Sequence, residues 1–428
     1  MNILLVSPHP NAQRSFFSRF TYPSLTLKQL AAITPSEHTV RIVDERFELI
    51  PFDTPFDIVG ITSLTYNALR GYEIASEFRK RGSPVVMGGY HASLLPEEAK
   101  QHVDSVLIGE GERTWPQLLT DLQKQQLQPF YRPDRLVTPE EIPPARHDIG
   151  SYHPFTEPIQ ASRGCPTGCE FCAMQIVEGS RFRGRPVDHM IEEMKSIKKK
   201  NLFFADASLT INPSYSKELF KAMKEVNKFS ECFGNINVLS RDDEFLALAR
   251  DAGIYNWYVG IESISQENID AAGKRTNTVE NYSQAIKKIK DHGMMVTGFF
   301  MFGFDFDTID SFEKTLQAIY QWGLDEVSFS IVTPYPGTRL FDRYDKNGRI
   351  LCRDWSKYNE GNVNYALQHL TNEELLQGIR TMALDYYSLL NIMRRSFTNT
   401  NYNPYRILMK LVRNYSVRSF YLHEKLIH

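Results

Sequence analysis

Arg163-Gly164-Cys165-Pro166-Thr167-Gly168-Cys169-Glu170-Phe171-Cys172 sets three cysteines within eight residues, in the spacing C-x3-C-x2-C. Thiolates this close can wrap one polynuclear centre, while Gly164 and Gly168 let the backbone curl around it. Three ligands is the informative count. A structural zinc site closes a shell of four, and no histidine follows at finger spacing. A 4Fe–4S cluster held by three cysteines leaves one iron open to a substrate. Zinc or a plain reactive thiol is the rival reading. Cys232 and Cys352 stand alone and read as small buried residues.

On both sides of this loop the chain alternates apolar runs with helical spacing. Downstream, the expected strands are Ile159–Ser162, Leu202–Ala205, Phe233–Val238, Trp257–Ile261, Val296–Met301 and Val327–Val332. Six βα units are too few for an eight-stranded barrel, and a partial parallel (β/α)6 barrel over 156–345 fits them. Upstream, Ile3–Val6, Val40–Val43, Ile58–Ile61, Val85–Met87 and Val106–Ile108 are continuous apolar runs separated by helices. They imply an α/β, doubly wound, Rossmann-like domain over 1–135 that binds a ligand outside its strand ends. The proline-rich stretch 136–155 reads as a semi-extended linker. After Pro334-Tyr335-Pro336-Gly337 the rhythm ends, and a small, mainly helical domain over 346–428 follows. Its capping box Thr371-Asn372-Glu373-Glu374 opens a long helical stretch through about Arg395.

The 428 residues are 42% hydrophobic and carry a net charge of −2, which excludes disorder and argues against a nucleic-acid partner. Five cysteines in such a chain make no disulfide scaffold and suggest a reducing, cytoplasmic setting. The start, Met-Asn-Ile-Leu-Leu-Val-Ser-Pro, reads as a buried strand, and Met294–Phe304 is too short to span a bilayer. Residues 391–428 hold seven Lys/Arg against one acid, Glu424. An interfacial helix touching a membrane surface and a helix packed across the barrel mouth both explain that mixture. The lysines Lys195, Lys198, Lys199 and Lys200 read as a solvated helix end. Trp355 and Tyr358 either line a substrate pocket or anchor the last domain.

The cysteine triad, with Phe171 before its last member, resembles the signature of the radical S-adenosylmethionine (SAM) enzymes. In that family the open iron binds SAM, whose reductive cleavage releases a 5′-deoxyadenosyl radical that takes hydrogen from the substrate. The resemblance implies that Cys165, Cys169 and Cys172 hold the cluster. It implies that SAM meets Phe171, Asp206 at the end of the second strand, and Asn237 on the third strand. Gly260, Glu262 and Ser263 match the fourth-strand motif, and Gly303 ends the fifth-strand glycine motif begun at Gly298. Relatives often carry two adjacent acids where this chain has Asp206-Ala207.

An α/β domain placed before such a barrel resembles the cobalamin-binding radical SAM group. Its binding edge would comprise Ser7, Pro8, Thr62, Ser63, Gly88, Gly89, Tyr90, His91, Gly109, Glu110, Gly111 and Glu112. The Asp-x-His-x-x-Gly motif, whose histidine ligates cobalt, is absent, so His91 is expected as a loop residue near the cofactor tail, with a structural turn histidine as the alternative. A nucleotide site competes, although no G-x-G-x-x-G follows the first strand.

The resemblance implies transfer of a methyl group from methylcobalamin to an unactivated carbon, with flavodoxin or ferredoxin as the type of electron donor. A radical cyclase or rearrangement enzyme is the alternative. A cofactor-carrying electron-transfer module is a third reading, disfavoured by a three-cysteine cluster. The substrate is a small molecule, lipid or peptide, with the basic, apolar tail inclining toward a hydrophobic one.

Overall fold

Apolar runs bounded by glycine and proline turns become strands buried on both faces. The computed structural model describes residues 1–10, 22–150, 155–397 and 404–423. Among them, the first unit holds β1 (Asn2–Ser7), β2 (Thr39–Asp44), β3 (Ile58–Thr62), β4 (Val85–Gly88), β5 (Ser105–Leu107) and β6 (Phe130–Tyr131). All pair in parallel, in the order β2-β1-β3-β4-β5-β6. The five expected strands are present, and β6 is a two-residue edge addition too short to show a period. Helices cover both faces, leaving one apolar layer around Val6, Ile61, Phe78 and Met87 and another around Leu5, Leu27, Trp115 and Leu118. The strand order reverses between β1 and β3, which opens a crevice at their carboxyl ends.

The second unit holds β7 (Thr156–Ile159), β8 (Ser162–Arg163), β9 (Arg183–Gly184), β10 (Asn201–Phe204), β11 (Phe229–Gly234), β12 (Ile254–Glu262), β13 (Met295–Phe302) and β14 (Glu326–Ile331). Six of these, β7 and β10 to β14, lie side by side in chain order and parallel, as a partial barrel requires. The short antiparallel hairpin β8–β9 brackets the cysteine loop. Two expected strands are corrected. Ile159–Ser162 divides between β7 and β8, and Phe233–Val238 ends as a strand at Gly234. Asn235 there caps the helix Ile236–Arg241, its side chain accepting from the Asn237 N–H at 3.0 Å. A side-chain cap outcompetes the β propensity of the following Ile-Asn-Val.

The expected helical stretch after Thr371 is made of two helices, Asn372–Tyr386 and Leu389–Ser396, because Ser388 caps the second by accepting from the Asn391 N–H. Two cations of the basic tail face inward, while Lys425 lies outside the described residues. On the helix Pro404–His423, Lys410 is 2.6 Å from Asp325, and Arg413 lies 2.7 Å from Glu231 and 3.0 Å from Glu326. These acids sit at or near the amino-terminal ends of β11 and β14, the end opposite the cysteine loop. The helix Pro404–His423 therefore packs against the floor of the barrel, not its mouth, with Lys410 and Arg413 engaged in ion pairs there. Among the described residues, no helix is long and apolar enough to cross a membrane.

The units are bolted together by charge. The proline-rich stretch is packed through its described part, 136–150, with Val137 and Ile142 buried and His147 between Glu157 (3.0 Å) and Glu193 (2.8 Å). Burial alone would pull the His147 pKa down, but the hydrogen bonds to the two carboxylates raise it above the ordinary value. Glu157 is held down to about 2, burial being outweighed by His147 and Lys28. Stability from His147 is thus full below its unfolded pKa of about 6.5 and lost as pH rises through the raised folded value. Melting temperature should fall across that alkaline limb, and H147Q should flatten the limb. An unchanged slope in the variant would remove the assignment.

Candidate active site between the two units

The Gly-rich turns at the carboxyl ends of the first sheet border a cavity of about 400 Å³. Its lining includes Ser7, Pro8, Thr62, Ser63, Gly88, Gly89, Tyr90, Gly109, Glu110, Gly111 and Glu112, so eleven of the twelve expected positions converge. The Ser63 hydroxyl is buried and has no hydrogen-bond partner among the described residues. Gly89 has φ +92°, and a Cβ there would meet the Ser63 carbonyl at 2.7 Å and the Thr62 hydroxyl at 2.8 Å. A backbone cradle beside an unspent hydroxyl suits a large, flat ligand carrying polar groups.

His91 is the exception, and its expected role is corrected. The turn runs straight into the helix Tyr90–Leu94, where neighbouring side chains point about 100° apart. Tyr90 takes the cavity side, and His91 is fully buried on the other, its Nε2 2.8 Å from the Tyr72 hydroxyl. Glu110 and Glu112 line the cavity, but their carboxylates are engaged elsewhere. Arg163 lies 3.1 Å from Glu110 and 2.6 Å from Glu112, and Arg183 is 2.8 Å from Glu110. Burial lowers the Arg163 pKa, but the two carboxylates outweigh it and push it well above the ordinary value.

Arg163 leads directly into the cysteine loop. Gly164, at φ +82°, approaches the Arg181 carbonyl so closely that a Cβ would overlap it. The Cys165 N–H reaches the Gly179 carbonyl at 3.1 Å, and the Cys172 N–H reaches that of Cys169 at 3.2 Å. All three thiols are free and half-buried, and burial pushes Cys169 up to about 12 and Cys172 above its ordinary value. Among the described residues no three His, Cys, Asp or Glu side chains converge on a point as for a single ion. Three thiols spread along one loop fit ligands to separate irons of a cluster, and binding would release their protons.

Opposite the loop, β12 and β13 carry the expected glycine and acid motifs. Glu262 adopts φ +62° where the register shifts between Gly260 and Glu262, a bulge that turns its carboxylate toward Lys274. The Lys274 ammonium also donates to the Gly260 carbonyl at 3.0 Å, and a Cβ at Gly260 would strike both partners. Ser263 accepts from Asn268 at 3.2 Å, and Asn268 donates to Asp307 at 2.8 Å. Asp307 in turn accepts from the Gly303 N–H at 2.8 Å, so one chain of hydrogen bonds ties the two strand-end motifs together. Burial pushes the Asp307 carboxyl up to about 6. Lys274, Asn268 and Asp307 escaped sequence reading because each stands in a loop or short helix with no motif of its own.

Two expected contacts are placed differently. Asp206 is buried, accepting from the Ala161 N–H at 3.0 Å and the Ser162 hydroxyl at 2.6 Å, so it clips β10 to the strand before the cysteines. Burial raises it to about 6. Asn237 lies on a helix rather than a strand, yet its Oδ1 is buried without a partner among the described residues, as a ligand acceptor would be. Phe171 and Cys172 border a second cavity of about 530 Å³, which Leu64, Tyr66 and Tyr90 share with the first. Trp355 and Tyr358 do not line it. The Trp355 indole donates to Glu98 at 2.9 Å and anchors the last unit to the first.

Two family models match the chain, the radical SAM superfamily over residues 159–319 and the N-terminal region of radical SAM proteins over 12–144. The bacteriochlorophyllide d C-8(2)-methyltransferase of Chlorobaculum tepidum is 32% identical, over 90% of this chain and 89% of that one. The C-12(1)-methyltransferase of the same organism is 30% identical, over 92% and 88%. Among solved structures, the radical SAM methyltransferase TsrM from Kitasatospora setae, with cobalamin and a 4Fe–4S cluster bound, superposes with a TM-score of 0.72. That likeness covers 97% of this chain and 99% of TsrM at 15% identity, and it is a likeness of fold.

Proposed function

The chain belongs to the radical SAM superfamily, and from that premise we propose that it is a cobalamin-dependent methyltransferase acting on an unactivated carbon of a largely apolar small molecule. The observation that carries the reading is the pair of adjoining cavities: one at the switch point of the first sheet, one walled by the cysteine loop, with Tyr66 and Tyr90 common to both. When bound, a cluster with SAM supplies a 5′-deoxyadenosyl radical and a corrinoid supplies the methyl group.

The chain's own residues do the rest. Cys165, Cys169 and Cys172 offer three thiolates and leave one coordination position open. Lys274 and Glu262 present an ammonium and a carboxylate to the amino-acid end of SAM, while Asn237 and the Gly303 turn suit its nucleoside end. Ser63 and the amides around Gly88 and Gly89 receive the corrinoid on the first unit. Arg163, held by Glu110 and Glu112, fixes the distance between the two units, so a substrate in the second cavity meets both reactive groups. Residues Phe171 and Met301 keep the cavity apolar and exclude water, which protects a radical.

Protein purified anaerobically from cells supplied with cobalamin should hold about four irons and one corrinoid per chain. Deuterium from the SAM methyl group should then appear in the product. Full cofactors with no deuterium transferred would favour a radical cyclase or rearrangement enzyme. Four irons without corrinoid would overturn the methyl-transfer reading.

A further inference from the structure

The second cavity is lined mostly by apolar side chains, among them Phe171, Met174, Met301 and Ile331. One carboxylate stands among them. Glu360 holds φ +63°, a left-handed conformation that a non-glycine residue keeps only when its surroundings impose it. Here they do. The Ile331 N–H at the end of β14 donates to the Glu360 carbonyl at 2.7 Å, which stitches the residue to the barrel rim. The Tyr335 hydroxyl donates to the Glu360 carboxylate at 3.2 Å. Tyr335 itself packs against the buried group Phe341, Trp355 and Tyr358. Both Tyr335 and Glu360 line the cavity. The Glu360 side chain is exposed to solvent where it lines the cavity, so its carboxylate is open to an incoming ligand.

Nothing in the cluster, SAM or corrinoid sites uses this pair. We propose that Tyr335 and Glu360 form the polar anchor of the substrate cavity and select an apolar molecule bearing one uncharged hydrogen-bond donor, a hydroxyl or N–H, over one bearing a carboxylate. The donor gives its hydrogen to the Glu360 oxygen, the apolar body lies against Phe171 and Met301, and the reacting carbon is thereby held at a fixed distance from the cysteine loop. An anionic group at the same place would face Glu360 without a counter-charge among the lining residues. Glu360 is a specificity residue in this account, and the account rests on the cavity being the substrate site of the proposed methyltransferase.

The test is equilibrium binding by calorimetry to the full chain reconstituted with cluster, cobalamin and SAM, using 1-decanol and decanoate as probes. Wild type should bind decanol at least about tenfold tighter than decanoate. E360A should lose about tenfold in decanol affinity, and E360Q should bring the two probes to within about threefold of each other. Y335F should weaken decanol less than E360A does. Equal affinity of wild type for both probes, no measurable decanol binding, or unchanged decanol binding by E360A would overturn the anchor. Iron and corrinoid are assayed on the same samples. Dependence on Glu360 in protein that retains no corrinoid would support the anchor while removing the methyl-transfer reading, so the two fail separately. Circular dichroism of E360A, expected to match wild type, guards against a folding defect, and E360Q keeps the side-chain volume if E360A misfolds.

Discussion

Cys172→Ser, reconstituted anaerobically with iron and sulfide, should hold less than about one iron per chain where wild type holds about four. Cleavage of SAM under strong reductant should fall to background. The effect is large because the reaction has no second source of electrons, and two thiolates do not retain a cluster that three barely complete. The fold should survive. The loop around Cys172 is shaped by groups outside the cluster: the Gly179 carbonyl receives the Cys165 N–H, the Gln175 amide donates to the Cys165 carbonyl at 2.6 Å, and Arg339 donates to the Gly168 carbonyl. Circular dichroism and melting temperature of the apoprotein should therefore match wild type. Retention of four irons by the serine variant would remove Cys172 from the ligand set and with it the assignment of the triad.

Arg163→Met should cost about 3–5 kcal/mol of stability, since it leaves Glu110 and Glu112 buried without this guanidinium. Both carboxylates are nearly inaccessible, with side-chain exposures of 3% and 7%, and so is Arg163 at 7%, so water cannot replace the lost cation. The loss falls at the seam between the units, because Glu110 and Glu112 belong to the first and Arg163 to the second. Denaturant unfolding should show either a lower midpoint or a separated first transition, as the units lose their coupling. The variant should also bind iron less well, since Arg163 immediately precedes Gly164 and Cys165. The double variant R163M/E112M should recover part of the stability by removing an orphaned charge. A single variant as stable as wild type would show that Arg183, 2.8 Å from Glu110, suffices to hold the seam.

Much of the site could be read along the chain because its signals are local. The cysteine spacing, the glycines after β4 and β5, and the Gly260-Ile261-Glu262-Ser263 run each lie within ten residues, and the structure brings them to the carboxyl ends of parallel strands. His91 shows where such local reading stops. It follows the glycine turn directly, but it sits one residue into the helix Tyr90–Leu94, where a single step rotates the side chain away from the surface the motif faces, and only the packing decides where that rotation starts.

The basic tail shows the other limit. Its composition allows either a membrane surface or a barrel plug, and its ion pairs lie more than eighty residues away: Asp325 just before the last strand, Glu326 on it, and Glu231 on the third strand of the barrel. Likewise Glu110 and Glu112 carry the pattern of a cofactor edge, yet their charges are spent on Arg163 and Arg183 of the other unit. By itself, then, the sequence determined the two αβ units, the triad between them and the glycine turns, because periodicity and short-range spacing are properties of neighbouring residues. Only the tertiary structure decided which charges are free to meet a ligand and which are consumed in holding the units together. A buried charge takes the opposite charge that folding brings within about 3 Å, however far away it lies in the chain.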